Sequence, residues 1–103
     1  MTHEERVKQA ELEINEVQNL IYDRNRYMGN CLAMWATLKV TESYGLDYSL
    51  RIEGESGTSF KVKNTKQMKA FVPSQTIKSV NAILQYCEGS LNLQELKAVL
   101  NGH

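Results

Sequence analysis

The sequence is poor in the residues that break helices, cross-link chains or bind metals. It has one proline, Pro73, and its two cysteines, Cys31 and Cys87, are far apart. Its two histidines, His3 and His103, lie at the two ends of the chain, where packing is weakest. A zinc site needs four ligands in spaced pairs, and a general base must be held by packed neighbours. We therefore expect no catalytic residue, no metal site and no cofactor, and we predict that the protein is not an enzyme.

Charge of one sign and long apolar runs are also missing. Twelve Lys and Arg residues balance twelve Asp and Glu residues, so the formal net charge is zero. This balance excludes a polycation that binds DNA by charge alone and an acidic DNA mimic. No apolar run approaches the ~20 residues of a membrane helix, and no stretch resembles a signal peptide. We expect one cytoplasmic domain over residues 1–103, with both thiols free.

The strongest positive pattern is an apolar stripe in residues 1–44. Its positions step alternately by three and four residues, which is the spacing of a helix–helix seam. They are Val7, Ala10, Ile14, Val17, Ile21, Arg24, Met28, Cys31, Trp35 and Leu38. Arg24 is the one polar member. Either its guanidinium group extends to solvent, or the residue fixes the register of a partner helix. The stripe predicts a seam, most simply between two copies in a homodimer.

Gly29 and Asn30 allow two alternatives for the backbone of residues 1–44. Both are poor helix formers, and they lie in the middle of the stripe. One alternative is a continuous helix of roughly 40 residues, about 60 Å long, whose apolar seam would need a second chain to cover it. The other is an αα-hairpin that buries the stripe within one chain.

The period then changes from helical to strand-like. Apolar residues alternate over 47–53 and again over 58–63, where Phe60 and Val62 share one face. The glycine-rich turn at 54–57 lies between them and predicts a β-hairpin with one buried face. A third strand is predicted over 67–72.

Two helices are predicted to follow Pro73. Capping boxes mark two helix starts, Thr2 with Glu5 and Asn92 with Glu95. The predicted fold class is α+β, with a long N-terminal helix or αα-hairpin, a two- to three-stranded antiparallel sheet and two C-terminal helices. Its regions are a helical seam region at 1–44, a β-hairpin or meander at 47–72 and helices at 74–101.

Two sets of residues are candidates for partner contact. Residues 1–53 carry a net charge of −3 and residues 54–103 a net charge of +3. The basic set in the second half is Lys61, Lys63, Lys66, Lys69 and Lys78. The set in the first half is Tyr22, Arg26 and Tyr27, beside Arg24, and contains the residue types that dominate interface energetics.

These features predict a small non-enzymatic protein–protein interaction module. We expect a homodimer that modulates or inhibits a macromolecular partner, of the kind found among accessory proteins of phages and mobile elements. The alternative is a nucleic-acid-binding regulator that uses the basic surface between Lys61 and Lys78. A deep pocket that holds Cys31 or Cys87 beside a carboxylate would instead favour an enzyme.

Overall fold

The structure, a computed structural model, describes residues 2–24, 29–54, 56–71 and 78–101. In this part of the chain, the helices and strands are α1 (His3–Arg24), α2 (Gly29–Ser43), β1 (Leu50–Glu53), β2 (Ser59–Val62), α3 (Thr65–Met68), α4 (Lys78–Glu88) and α5 (Leu93–Asn101). A 3₁₀ turn spans Lys69–Phe71. The architecture is α+β, as predicted. None of the described helices combines the length and the apolar character that crossing a bilayer requires.

The first two helices form an antiparallel hairpin. Gln18 Nε2 donates a hydrogen bond to Thr37 Oγ1 at 3.2 Å, and the Arg6 guanidinium donates to the Tyr44 carbonyl at 3.3 Å. An early residue of α1 thus meets the residue that follows α2, and a late residue of α1 meets the middle of α2. This pairing requires α2 to run back along α1, so the αα-hairpin is the correct alternative and the continuous helix is wrong.

The apolar stripe closes on itself within this hairpin. Its two halves lie on α1 and α2 and join one hydrophobic core. Five of its members are no more than 2% exposed, namely Ala10, Val17, Ile21, Trp35 and Leu38. These five have no free surface for a second copy, which corrects the expectation that they form a homodimer seam. Val7, Ile14 and Cys31 are half-buried, whereas the Arg24 side chain and Met28 lie outside the described residues.

Polar contacts fasten the C-terminal helices to the hairpin. Tyr86 on α4 is 1% exposed, and its hydroxyl donates to Glu13 Oε1 on α1 at 3.3 Å. Lys39 Nζ lies 5.0 Å from the centroid of the Tyr86 ring, in cation–π range. Lys97 on α5 forms an ion pair with Glu16 on α1. These contacts tie α4 and α5 to α1 and α2.

The two predicted capping boxes are present. Glu5 N–H donates to Thr2 Oγ1 at 3.2 Å, and the Thr2 hydroxyl donates to Glu5 Oε1 at 3.1 Å. Glu95 N–H donates to Asn92 Oδ1 at 2.8 Å, while Asn92 N–H donates to Glu95 Oε1 at 3.2 Å. The box at Asn92 satisfies two backbone amides of its helix start, and the box at Thr2 satisfies one, the Glu5 N–H.

Gly45 ends α2 and redirects the chain. Its φ of 68° is left-handed, a region that glycine enters without steric cost. The next amide, Leu46 N–H, donates to the Thr41 carbonyl at 2.9 Å, which closes the last turn as in a Schellman motif. The turn carries the chain into segment 46–49, which has no regular secondary structure and leads to β1.

The β-hairpin forms as predicted, with two antiparallel strands. Leu50 pairs with Val62, and Ile52 pairs with Phe60. Val62 is 1% exposed, but Phe60 is 47% exposed, so the two do not share a buried face as expected. Instead, the Phe60 ring packs against Phe71, with centroids 5.7 Å apart.

The predicted third strand is wrong where the structure describes it. Residues 65–71 form α3 and the 3₁₀ turn instead. Gln67 N–H donates to Asn64 Oδ1 at 2.9 Å, and the Gln67 side chain accepts from Lys63 N–H at 2.7 Å. These two hydrogen bonds favour a helical turn, in which Met68 is completely buried. Residue 72 of the predicted strand lies outside the described residues.

The two faces of α1 make contrasting predictions for stability. Ile21 is fully buried, and Leu12 is 64% exposed. We expect Ile21→Ala to lower the free energy of unfolding by about 2–5 kcal/mol, because it leaves a cavity in the core. The control Leu12→Ala should change it by less than about 0.5 kcal/mol. Urea unfolding measures both, and equal losses would contradict this orientation of α1.

Candidate functional site

Two adjoining cavities lie along one side of the helical hairpin. One has a volume of about 470 Å³ and the other of about 330 Å³. Both are lined by Glu11, Ile14 and Tyr48, so they meet and form one groove, which we call the α1 groove. Three walls enclose it, namely α1, α2 and residues 46–50.

A single stripe of α1 runs the length of this groove. Its members recur every three or four residues and therefore share one helical face, and they are His3, Val7, Glu11, Ile14, Gln18 and Tyr22. The distance from the first to the last is about 28 Å at a rise of 1.5 Å per residue. The groove is therefore elongated along α1.

Small side chains on α2 leave the space that the groove occupies. Ala33, Thr37 and Thr41 follow one another at intervals of four and line the groove. The Thr37 hydroxyl donates to the Ala33 carbonyl at 2.8 Å and accepts from Gln18, and the Thr41 hydroxyl donates to the Thr37 carbonyl at 3.0 Å. Because both hydroxyls already bond within the hairpin, the floor offers an occupant mainly apolar contact.

The third wall is the segment between α2 and β1. Gly45 turns the chain into this segment, which contributes Leu46, Tyr48 and Leu50 to the groove. Tyr48 lines both cavities and is 45% exposed, and Tyr22 at one end of the groove is 44% exposed. Tyrosines of this kind combine a large apolar ring with a polar tip, and they are enriched in interface hot spots.

The charged groups of the groove are acidic. Glu11 and Asp47 are both exposed at its edge. Among the described residues neither carboxylate has a hydrogen bond or an ion pair. No lysine or arginine in the described part of the chain lines either cavity. The groove therefore presents two carboxylates without an ion-pair partner beside an apolar floor.

Part of this site follows from residues that the sequence singles out. Tyr22 was expected at a partner surface, and it lines the groove, as do Val7 and Ile14 of the apolar stripe. Arg26 and Tyr27, expected beside Tyr22, lie outside the described residues. Sequence reasoning missed Glu11 and Asp47, which no motif marks, and it included Tyr48 in the strand-like segment 47–53, although β1 begins at Leu50.

The predicted basic residues lie elsewhere. Lys66 and Lys69 line a separate cavity of about 290 Å³ beside Trp35, and Lys69 Nζ is 3.3 Å from Glu88 Oε1. Lys61 is on the exposed side of the hairpin, and Lys63 follows β2 and is also exposed. The side chain of Lys78 lies outside the described residues.

A further cavity brings a cysteine near carboxylates. It has a volume of about 240 Å³ and is lined by Cys87, Glu42, Glu88 and Lys39. Burial raises the pKa of the Cys87 thiol above its ordinary value of 9.0, and the nearby Lys39 charge only partly offsets this. The thiol therefore stays protonated at neutral pH, which makes it a poor nucleophile. Within the described ranges, no three potential metal ligands lie together.

The burial of Cys87 predicts how stability depends on pH. Above about pH 9 the unfolded chain releases the Cys87 proton while the folded chain keeps it, so stability is complete below this pH and falls above it. The free energy of unfolding is expected to fall by up to about 1.4 kcal/mol per pH unit, which is the slope for one proton released per chain. Denaturant unfolding in reductant at pH 7 to about 10 should show it. In the Cys87→Ala variant the free energy of unfolding should fall less steeply above pH 9, whereas the control Cys31→Ala should fall as steeply as the unaltered protein. Equal slopes in the two variants would contradict the assignment of this pH dependence to Cys87.

The side chains that line the α1 groove define its chemistry. It combines an apolar floor, two half-exposed tyrosines and two free carboxylates in a groove about 28 Å long. Such an arrangement can bind an apolar segment and select its charge. Comparison with protein-family models, with curated proteins and with solved structures finds no match to this chain.

Proposed function

We propose that this protein is a small non-enzymatic protein–protein interaction module that modulates or inhibits a macromolecular partner by receiving it in the α1 groove. The observation that carries this proposal is the groove itself, with an apolar floor and half-exposed Tyr22 and Tyr48. Aromatic side chains in a concave apolar surface are typical anchors of protein interfaces.

The chemistry of the groove supports binding over catalysis. Neither of its cavities is lined by a described cysteine, serine or lysine that could act as a nucleophile. The hydroxyls of Thr37 and Thr41 are bound to backbone carbonyls. Cys31 and Cys87 are both free thiols, which fits the reducing cytoplasm that we propose as the compartment.

Photo-crosslinking tests whether the groove receives a partner. A benzophenone amino acid replaces Tyr48, and a matched variant carries it at Phe60, an aromatic residue of similar exposure on β2. In cells of the native host, we expect irradiation to yield a protein adduct from position 48 and not from position 60. Mass spectrometry identifies the adduct, and a product of twice 11.8 kDa would indicate a homodimer instead.

Two outcomes would contradict the proposal. One is no adduct from position 48 although the variant folds and is irradiated in its host. The other is the same adduct from both positions, because the partner would then contact the protein outside the groove as well as in it. Circular dichroism of both variants establishes that they fold before the comparison is made.

Nucleic-acid binding is a second candidate, supported by the hairpin. Arg51 lies directly opposite Lys61 in the register of the two strands, and both are exposed. Like charges in this position are destabilising, and a bound phosphate would neutralise them.

Salt dependence tests the second candidate. Duplex and single-stranded oligonucleotides are titrated with the protein at several salt concentrations. If the hairpin contacts phosphates, the logarithm of affinity should fall linearly with the logarithm of salt, and Arg51→Ser with Lys61→Ser should reduce this slope by about two. The control Lys8→Ser alters an exposed lysine on α1. An unchanged slope in the double variant, or no binding by the unaltered protein, would rule out this candidate.

A further inference from the structure

We infer that the occupant of the α1 groove is a basic amphipathic helix of the partner protein, with its apolar face on the floor and its Lys or Arg side chains over Glu11 and Asp47. This inference deepens the proposed function and rests on it. Three features of the groove support this occupant, namely its charge, the bonded hydroxyls of its floor and the spacing of its cavities.

The charge of the groove selects a basic occupant. Glu11 and Asp47 are exposed carboxylates with no ion pair among the described residues. No described lysine or arginine lines the two cavities. A cationic side chain that reaches these carboxylates gains a charge-assisted contact, whereas an acidic segment is repelled.

The polar groups of the groove favour a helical occupant. The floor hydroxyls of Thr37 and Thr41 already donate to carbonyls of their own helix. An extended segment would need partners for its own amides and carbonyls, and the floor hydroxyls have already used their donors on carbonyls of α2. A helix satisfies these groups internally and presents only side chains.

The spacing of the cavities fits anchors on one helical face. The cavity nearer the start of α1 is lined from that helix by residues between His3 and Ile14, and the other by residues between Glu11 and Tyr22. Their midpoints differ by about eight residues, or roughly 12 Å along α1. Side chains at i and i+7 or i+8 of a helix lying along α1 share one face at nearly this separation.

A second copy of the chain is a poorer occupant of the same groove. A twofold-symmetric dimer through this surface would place the Glu11 and Asp47 carboxylates of both chains in one interface. Like charges that face each other oppose association. A partner protein with a basic helix meets the same surface with opposite charge.

Binding of designed peptides tests the inference directly. The probe is a fluorescein-labelled helix of leucine and lysine of about 18 residues, roughly 27 Å long, with leucines on one face. One control peptide replaces each lysine with glutamate, and another has the same composition in scrambled order. Fluorescence anisotropy measures affinity, and amide chemical shifts of the ¹⁵N-labelled protein locate the bound peptide.

We expect the basic amphipathic peptide to bind most tightly and to shift the amides of Glu11, Ile14 and Tyr48. Glu11→Gln with Asp47→Asn should weaken binding about three- to tenfold, as expected for two exposed charge pairs. The single variant Glu11→Gln should weaken it more than the matched control Glu53→Gln, whose carboxylate is exposed on β1. Thermal unfolding establishes that the variants keep the fold.

The inference is overturned if the glutamate or scrambled peptide binds as tightly, if the shifted amides lie outside the groove, or if no peptide binds at saturating concentration. These failures are distinguishable from failure of the proposed function. If position 48 still crosslinks a protein in cells, the groove receives a partner of other chemistry, and only the basic helix is excluded.

Discussion

The antiparallel contact of α1 with α2 is the constraint on which the rest of the structure depends. It brings Val17 and Ile21 into the same core as Trp35 and Leu38, and so it buries within one chain a stripe that would otherwise face solvent. It also sets the position of residues 46–50, because these follow directly from the end of α2. Without this fold-back, α1 would have no second and third wall beside it, and the groove would not exist.

The composition of α2 explains why one side of this contact is tightly packed and the other is open. The helix is buried on nearly all sides, which is typical of a central helix. Its large residues Leu32, Trp35 and Leu38 belong to the core. Its small residues Ala33 and Thr37 line the groove beside the half-buried Met34, and they fill too little volume to close the space between α1 and the segment before β1.

The sequence predicts the elements better than their assembly, for reasons visible in particular residues. The capping boxes at Thr2 and Asn92 and the turn before β2 are local, and each appears where its residues predict it. The period of the apolar stripe indicated a seam correctly, but periodicity cannot distinguish a neighbour in the same chain from one in another. The missed turn at Asn64 had a local signal in Gln67, which strand alternation over the following residues obscured.

The groove was largely beyond prediction because its walls are brought together by the fold. Glu11 and Asp47 are 36 positions apart in the sequence and belong to no motif. Only the antiparallel return of α2 and the turn at Gly45 place both beside one cavity. A net charge of zero conceals this arrangement, since acidic residues dominate residues 1–53 and basic residues dominate 54–103. At the surface the fold leaves free carboxylates at the groove and places Lys61 opposite Arg51 on the hairpin. We therefore propose that a partner is selected by local charge at one surface, over distances of about a Debye length, and not by the balanced charge of the whole protein.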